Sequence, residues 1–188
     1  MNNNTKSNDS FFNYKILENS LNILKDNYAN LADIVETVKR ENPTDVRLYS
    51  RKLNQAIHNF AASIGTCIER ERQFKKKYLD DSLIEESNLK IKELFSSPEC
   101  KFADNLRNFI LHYMLPQICW IYDADGSIKD ILFQKDIFLK YDSWDKQAIK
   151  FIDLLPDVVD VLKAISCYYE AFCKFYDERF CPQFLKNN

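Results

Sequence analysis

Apolar side chains recur at three- and four-residue steps over residues 14–40, through Ile16, Leu17, Leu21, Leu24, Tyr28, Leu31, Ile34, Val35 and Val38. That is the period of one face of an α-helix. Pro43 interrupts the pattern, and Thr44 or Asp45 is placed to cap the next helix. This second helix is expected over residues 46–79, with Leu48, Leu53, Ile57, Phe60, Ala61, Ile64, Ile68 and Phe74 on one broad face. Gly65 lies inside it, at a point where a close helix approach is expected. A shorter third helix covers residues 83–95. Ser97 then caps a fourth, with Pro98 at its first position, running over residues 99–113. Leu115 precedes Pro116 and is biased away from helix, so the fourth helix should stop there.

The pattern then changes. Residues 118–122 are β-branched and aromatic, Asp123-Ala124-Asp125-Gly126 is a turn signal, and residues 131–139 are again strand-like. A small β-hairpin is therefore expected at 117–139. Ser143 is a cap for the remaining helical stretch. Pro156 splits that stretch into a short piece and a long last helix to about Phe180, with Val158, Leu162, Ile165, Tyr169, Phe172, Phe175 and Tyr176 on its apolar side. The expected fold class is all-α, a bundle of long helices with a small β-hairpin insertion, forming a single domain over residues 11–188. Met1–Ser10 is rich in Asn, Ser and Thr and is expected to be a disordered polar tail.

Composition supports this picture. The 188 residues suit one domain, and only 2 Gly and 5 Pro favour long helices over a many-stranded sheet. A net charge of -2 does not describe a protein that coats nucleic acid, although 26 Lys and Arg leave room for a local basic patch. The six cysteines, Cys67, Cys100, Cys119, Cys167, Cys173 and Cys181, form no C-x-x-C pair. With no secretory signal they read as reduced thiols of a cytoplasmic protein. With only 2 His, no zinc site, other metal site or cofactor is expected. No apolar run is long enough to cross a bilayer.

The fourth helix carries the candidate chemistry. At 100° per residue, Phe102, Leu106, Phe109 and Tyr113 fall together as a core stripe, with Ile110 at its edge. Asp104, Asn108 and His112 are successive i, i+4 neighbours and form a polar ladder, with Arg107 on the other flank of the same face. Leu111 sits among these polar groups, a hint that the face is covered, as by a second subunit.

The stretch Arg107-Asn108-Phe109-Ile110-Leu111-His112 fits R-x-x-x-x-H with Asn directly after the Arg. Here the sequence resembles the HEPN superfamily, helical-bundle proteins that include ribonucleases of toxin–antitoxin, abortive-infection and CRISPR systems. The resemblance lies in this motif, its late position and the helical architecture, from the second helix to the last. It implies a metal-independent endoribonuclease with RNA as substrate, a homodimer, and an antitoxin or defence partner protein. In that chemistry His112 would transfer protons, since histidine titrates near neutrality. Arg107 would hold phosphate oxygens. Asn108 would orient His112 or contact phosphate, and Asp104 would fix the imidazole. Arg107 and His112 stand about 140° apart around the helix, so pairing across a dimer is the arrangement the resemblance implies. One departure is that a toxin subgroup has Tyr two residues after the motif His, where this chain has Met114. The different-class alternative is a non-catalytic helical module that binds a nucleotide or a partner protein.

Other candidates have plainer explanations. His58 beside Ile57 and Phe60 reads as an ordinary helix histidine. The run from Glu69 to Lys77 reads as a solvated helix end before an RNA-facing patch. Asp123, Asp125, Gly126 and Asp130 lack calcium-loop spacing and read as a turn. The aromatics Tyr168, Tyr169, Phe172, Phe175, Tyr176 and Phe180 have helical spacing, which favours packed core or dimer seam over base stacking.

Overall fold

The computed structural model describes the backbone of residues 3–179 and the side chains of residues 14–178. Among the described residues, seven helices and three strands follow in chain order: α1 (Asn3–Glu41), α2 (Val46–Tyr78), α3 (Asp81–Phe95), α4 (Pro98–His112), β1 (Ile118–Tyr122), β2 (Ile128–Gln134), α5 (Lys135–Phe138), α6 (Lys146–Leu154), β3 (Val158–Asp160) and α7 (Val161–Arg179). The architecture is mostly helical with a small antiparallel sheet, and no helix of the described residues is long and apolar enough to cross a membrane.

α1 and α2 lie against each other over much of their length and bury Leu17, Leu24, Leu31, Val38, Leu53, Ile57, Phe60 and Ile64. α1 begins at Asn3, so helix runs through residues 3–10, where the sequence points to a disordered tail. Adding a turn to an existing helix orders one residue per hydrogen bond and avoids the cost of nucleation, so poor helix formers are carried along. Met1 and Asn2 lie outside the described residues.

Side-chain oxygens start the inner helices. Asp45 accepts from the Leu48 N–H, Asp80 from Leu83 and Ser97 from Cys100, each at the N-cap position. Pro98 opens α4 as the pattern predicts. The cap of α6 is Asp145, which accepts from Gln147 and Ala148, while Ser143 donates to the Asp142 carboxylate. A carboxylate two residues nearer the helix takes the Gln147 and Ala148 N–H groups, so it displaces the expected serine.

The hairpin is present, and its second strand ends earlier than expected. β2 stops at Gln134, and residues 135–138 form the single turn α5. Gly126 sits at φ 84°, a conformation that favours glycine, and closes the turn by donating to Asp123. The aspartates of this region are absorbed locally. Asp125 accepts from Ser127, while Asp123 and Asp130 pair with Lys129 and Lys39. β3 adds a third strand, giving the order β1-β2-β3, with Phe133 opposite Val159. Val158 thus belongs to a strand and not to the apolar side of the last helix. The two β-branched valines after Pro156 pair with β2 instead, and Pro156 cannot serve a helix interior.

Two aromatic clusters fix α4 and α7. Phe102 and Phe109 of α4 stack on Trp144 and meet Phe138 edge-on, while the Trp144 indole N–H donates to the Phe138 carbonyl at 2.7 Å. Phe95 of α3 packs edge-on against Tyr168, Phe172 and Phe175 of α7. These α7 aromatics are buried core, as their spacing suggests, and Tyr169 stacks on Tyr28 of α1 at 3.8 Å. Phe180 lies outside the described residues.

Candidate functional site

α4 is anchored by Cys100, Phe102, Ala103, Leu106, Phe109 and Ile110, all buried. That anchoring sets where its polar side chains stand. Lys101, Asp104 and Arg107, spaced at i, i+3 and i+6, line one wall of a groove of about 810 Å³ between α2, α3, α4 and α7. Arg72 and Lys76 of α2 add further cations. The α3 wall is mixed, with half-buried Ile84, Ile91 and Phe95 beside Asp81 and Asn88, and the floor is aromatic, with Tyr168, Phe172 and Tyr176.

The groove is electrostatically organised. The Tyr168 hydroxyl donates to the Asp104 carboxylate at 3.0 Å. Burial pushes the Tyr168 phenol well above its ordinary value, and the Asp104 charge adds to the effect, so the hydroxyl stays a donor. Lys75, almost fully buried, forms an ion pair with Glu71 at 2.7 Å and donates to the Asn88 amide oxygen at 2.9 Å. Burial raises the Glu71 carboxyl, and the Lys75 partner pulls it back. Arg72, Lys76 and Lys101 make no ion pair or side-chain hydrogen bond among the described residues. The Arg107 guanidinium donates through Nη2 to the Asn108 amide oxygen at 2.9 Å, and its Nε is buried with no partner among the described residues.

The expected polar ladder is therefore divided. Asp104 faces the groove beside Arg107 and is engaged by Tyr168. It does not hold the His112 imidazole, which lies eight residues on, about 12 Å along the helix axis. Asn108 serves Arg107 and not His112. His112 is the last residue of α4, exposed and outside the groove. It is followed by Tyr113, Met114 and Leu115, which are all exposed. Tyr113, expected in the core stripe, is the C-cap residue and is 49% exposed. Its ring still touches Phe109 and Tyr141, and its hydroxyl donates to the Lys140 carbonyl. The helix ends one residue before the stripe does. Leu111 is half-buried against the core. One chain thus brings Arg107, Asn108 and Asp104 together and leaves His112 apart.

Two features of the site escape sequence reasoning. Spacing marks Tyr168 only as an aromatic packing residue, with nothing to pair it with Asp104. Arg72 and Lys76 lie in a run that resembles a solvated helix end, although their i, i+4 spacing does place them on one face. Gly65 lines the groove with no atom within 4 Å of where a Cβ would stand, so no close helix approach requires glycine there. His58 is exposed on α2. Among the described residues, no group of three His, Cys, Asp or Glu is placed to hold a metal ion. Comparison of the chain with family models, curated proteins and solved structures finds no match.

Proposed function

We propose that the protein is an HEPN-like, metal-independent endoribonuclease whose active site is completed by a second copy of the chain. The observation that carries this reading is the placement of His112. It stands exposed at the end of α4, about 7.5 Å along the axis and 140° round from Arg107, and beside the exposed apolar residues Tyr113, Met114 and Leu115. An apolar collar of this kind suits coverage by a partner surface. A two-fold contact at this end of α4 brings two histidines and two arginines into one cleft. One His112 then takes the proton of an RNA 2′-hydroxyl as its oxygen attacks phosphorus. The other gives a proton to the departing 5′-oxygen. The products are a 2′,3′-cyclic phosphate and a 5′-hydroxyl. Arg107, steadied by Asn108, holds the charge that gathers on the non-bridging oxygens. A role in a toxin–antitoxin or phage-defence system, with an antitoxin or defence protein as partner, belongs to the same proposal and rests on the motif resemblance.

A second reading is favoured by the groove itself. Cations without an ion pair on two walls, an aromatic floor and the apolar Ile84, Ile91 and Phe95 of α3 suit a non-catalytic module that holds a nucleotide or a partner protein, although Glu69 and Asp81 also line the groove. In that reading an exposed His112 has no role.

Purified protein incubated with mixed RNA in EDTA, beside His112→Ala and Arg107→Ala, separates the two. The ribonuclease reading expects cleavage with cyclic-phosphate ends, reduced about a hundredfold or more in each variant. No cleavage, or equal cleavage by all three proteins, removes the catalytic claim and leaves the binding module.

A further inference from the structure

We propose that Cys100 and Cys167 form a reversible disulfide in the folded protein by exchange with small disulfides of the glutathione type. The proposal is independent of the roles given to Arg107 and His112. Cys100 lies in the first turn of α4 and Cys167 on α7, and their Sγ atoms are 3.1 Å apart. A disulfide bond measures about 2.05 Å, so closure needs a combined shift of about 1 Å. Both sulfurs are on anchored helices. The Cys100 N–H is held by the Ser97 hydroxyl at 3.1 Å, and the residue after Cys167 ties α7 to α4 through the Tyr168–Asp104 bond. The two thiols therefore face one another across a seam that already has a set register, and no segment must unfold to bring them together.

Their environments assign different parts. Cys167 is half-buried, whereas Cys100 is 1% exposed. Burial pushes the Cys100 thiol up to about 12, opposed by the Ser97 hydroxyl. Exchange requires a thiolate that can reach the incoming disulfide, so Cys167 is the entry point. Its thiolate attacks one sulfur of oxidised glutathione, breaking that S–S bond and releasing one glutathione thiolate. The Cys100 thiol then attacks the Cys167 sulfur of the mixed disulfide and passes its proton to the second glutathione sulfur as that sulfur leaves. The two protons lost by the cysteines end on two glutathione thiols. The protein dithiol is oxidised and one glutathione disulfide is reduced, so the exchange balances.

The test uses the folded full-length chain. It is incubated with oxidised glutathione in native buffer, free thiols are blocked by alkylation, and the digest is read by mass spectrometry. A Cys100–Cys167 cross-linked peptide that vanishes with dithiothreitol and returns on re-oxidation is expected. In Cys100→Ser the glutathione adduct should accumulate on Cys167, because nothing resolves it. The proposal is overturned if both cysteines are recovered alkylated, if they end as separate glutathione adducts in the unmutated chain, or if the link forms only in denaturant.

Discussion

Tyr168 reaches across from α7 to a carboxylate on α4, and this pair shows how a single buried hydroxyl shapes the groove. Asp104 sits at the wall, half-buried, with the phenol as its partner. Hydrogen bonds to charged groups contribute roughly 1.5–3 kcal/mol. Tyr168→Phe keeps the ring packed against Phe95 and Phe172 and leaves the carboxylate without its donor. The variant is expected to lose about 1.5–3 kcal/mol in urea unfolding, with little change in secondary structure by circular dichroism. A loss below about 0.5 kcal/mol would mean that water replaces the phenol without penalty. The residue types of the motif are legible in the sequence, since Arg107, Asn108 and His112 declare themselves by spacing. The partner of each is not. Helical spacing pairs Asp104 with an imidazole on its own helix, whereas the fold holds it by a tyrosine 64 residues away.

At the scale of elements, helix starts follow local chemistry closely. Asp80 caps α3 by accepting the Leu83 N–H, and it also takes the Ser82 hydroxyl. Those bonds favour the ionised carboxyl, so its folded-state value lies below the ordinary one for an aspartate. A lowered carboxyl value means that the cap's contribution is complete above the unfolded value and is lost as pH falls through the folded one. Thermal melts of the unmutated chain and Asp80→Ala are therefore expected to differ near neutral pH, and the gap is expected to narrow as pH falls below the ordinary aspartate range. A gap that stays constant as the pH is taken well below the ordinary aspartate range would show that the carboxylate charge does not carry the cap. Strand assignments are less legible. β1 and the turn at Gly126 are visible because β-branched residues and a glycine turn are local signals. β3 is three residues long and exists by pairing with β2. Nothing in residues 158–160 alone separates such a strand from the first turn of the helix after it.

For the molecule as a whole, the directions in which Arg107 and His112 point bear on how the proposed site would be built. Arg107 and His112 leave the same helix in different directions, so one chain offers a groove with Arg107 and a separate exposed His112. If the proposed ribonuclease site spans two copies, the two inactive variants carry complementary defects. Mixing Arg107→Ala with His112→Ala after brief denaturation and refolding is expected to restore part of the cleavage that neither shows alone. The mixed dimer keeps one Arg107 and one His112 in the cleft, so one of the two proton transfers loses its histidine and the recovery should fall well short of the unmutated level. Failure to restore any activity, with subunit exchange verified by differently tagged chains, would rule out a site assembled from one Arg and one His in trans.

What the sequence determined by itself was the helical class, the extents of α2, α3 and α4 to within a few residues, and the position of the hairpin. These rest on periodicity, caps and turn residues, which act over a few neighbours and so can be read from a single stretch of chain. What only the tertiary structure decided was which polar side chains share a space. The groove exists because α3 packs on α7 beside α2 and α4, and the rotation of α4 is set by burying Phe102, Leu106 and Phe109. That rotation sends Asp104 and Arg107 inward to the groove, leaves His112 at the exposed helix end, and brings Cys100 to Cys167. Contacts between residues tens of positions apart depend on how elements pack, and no local pattern encodes them.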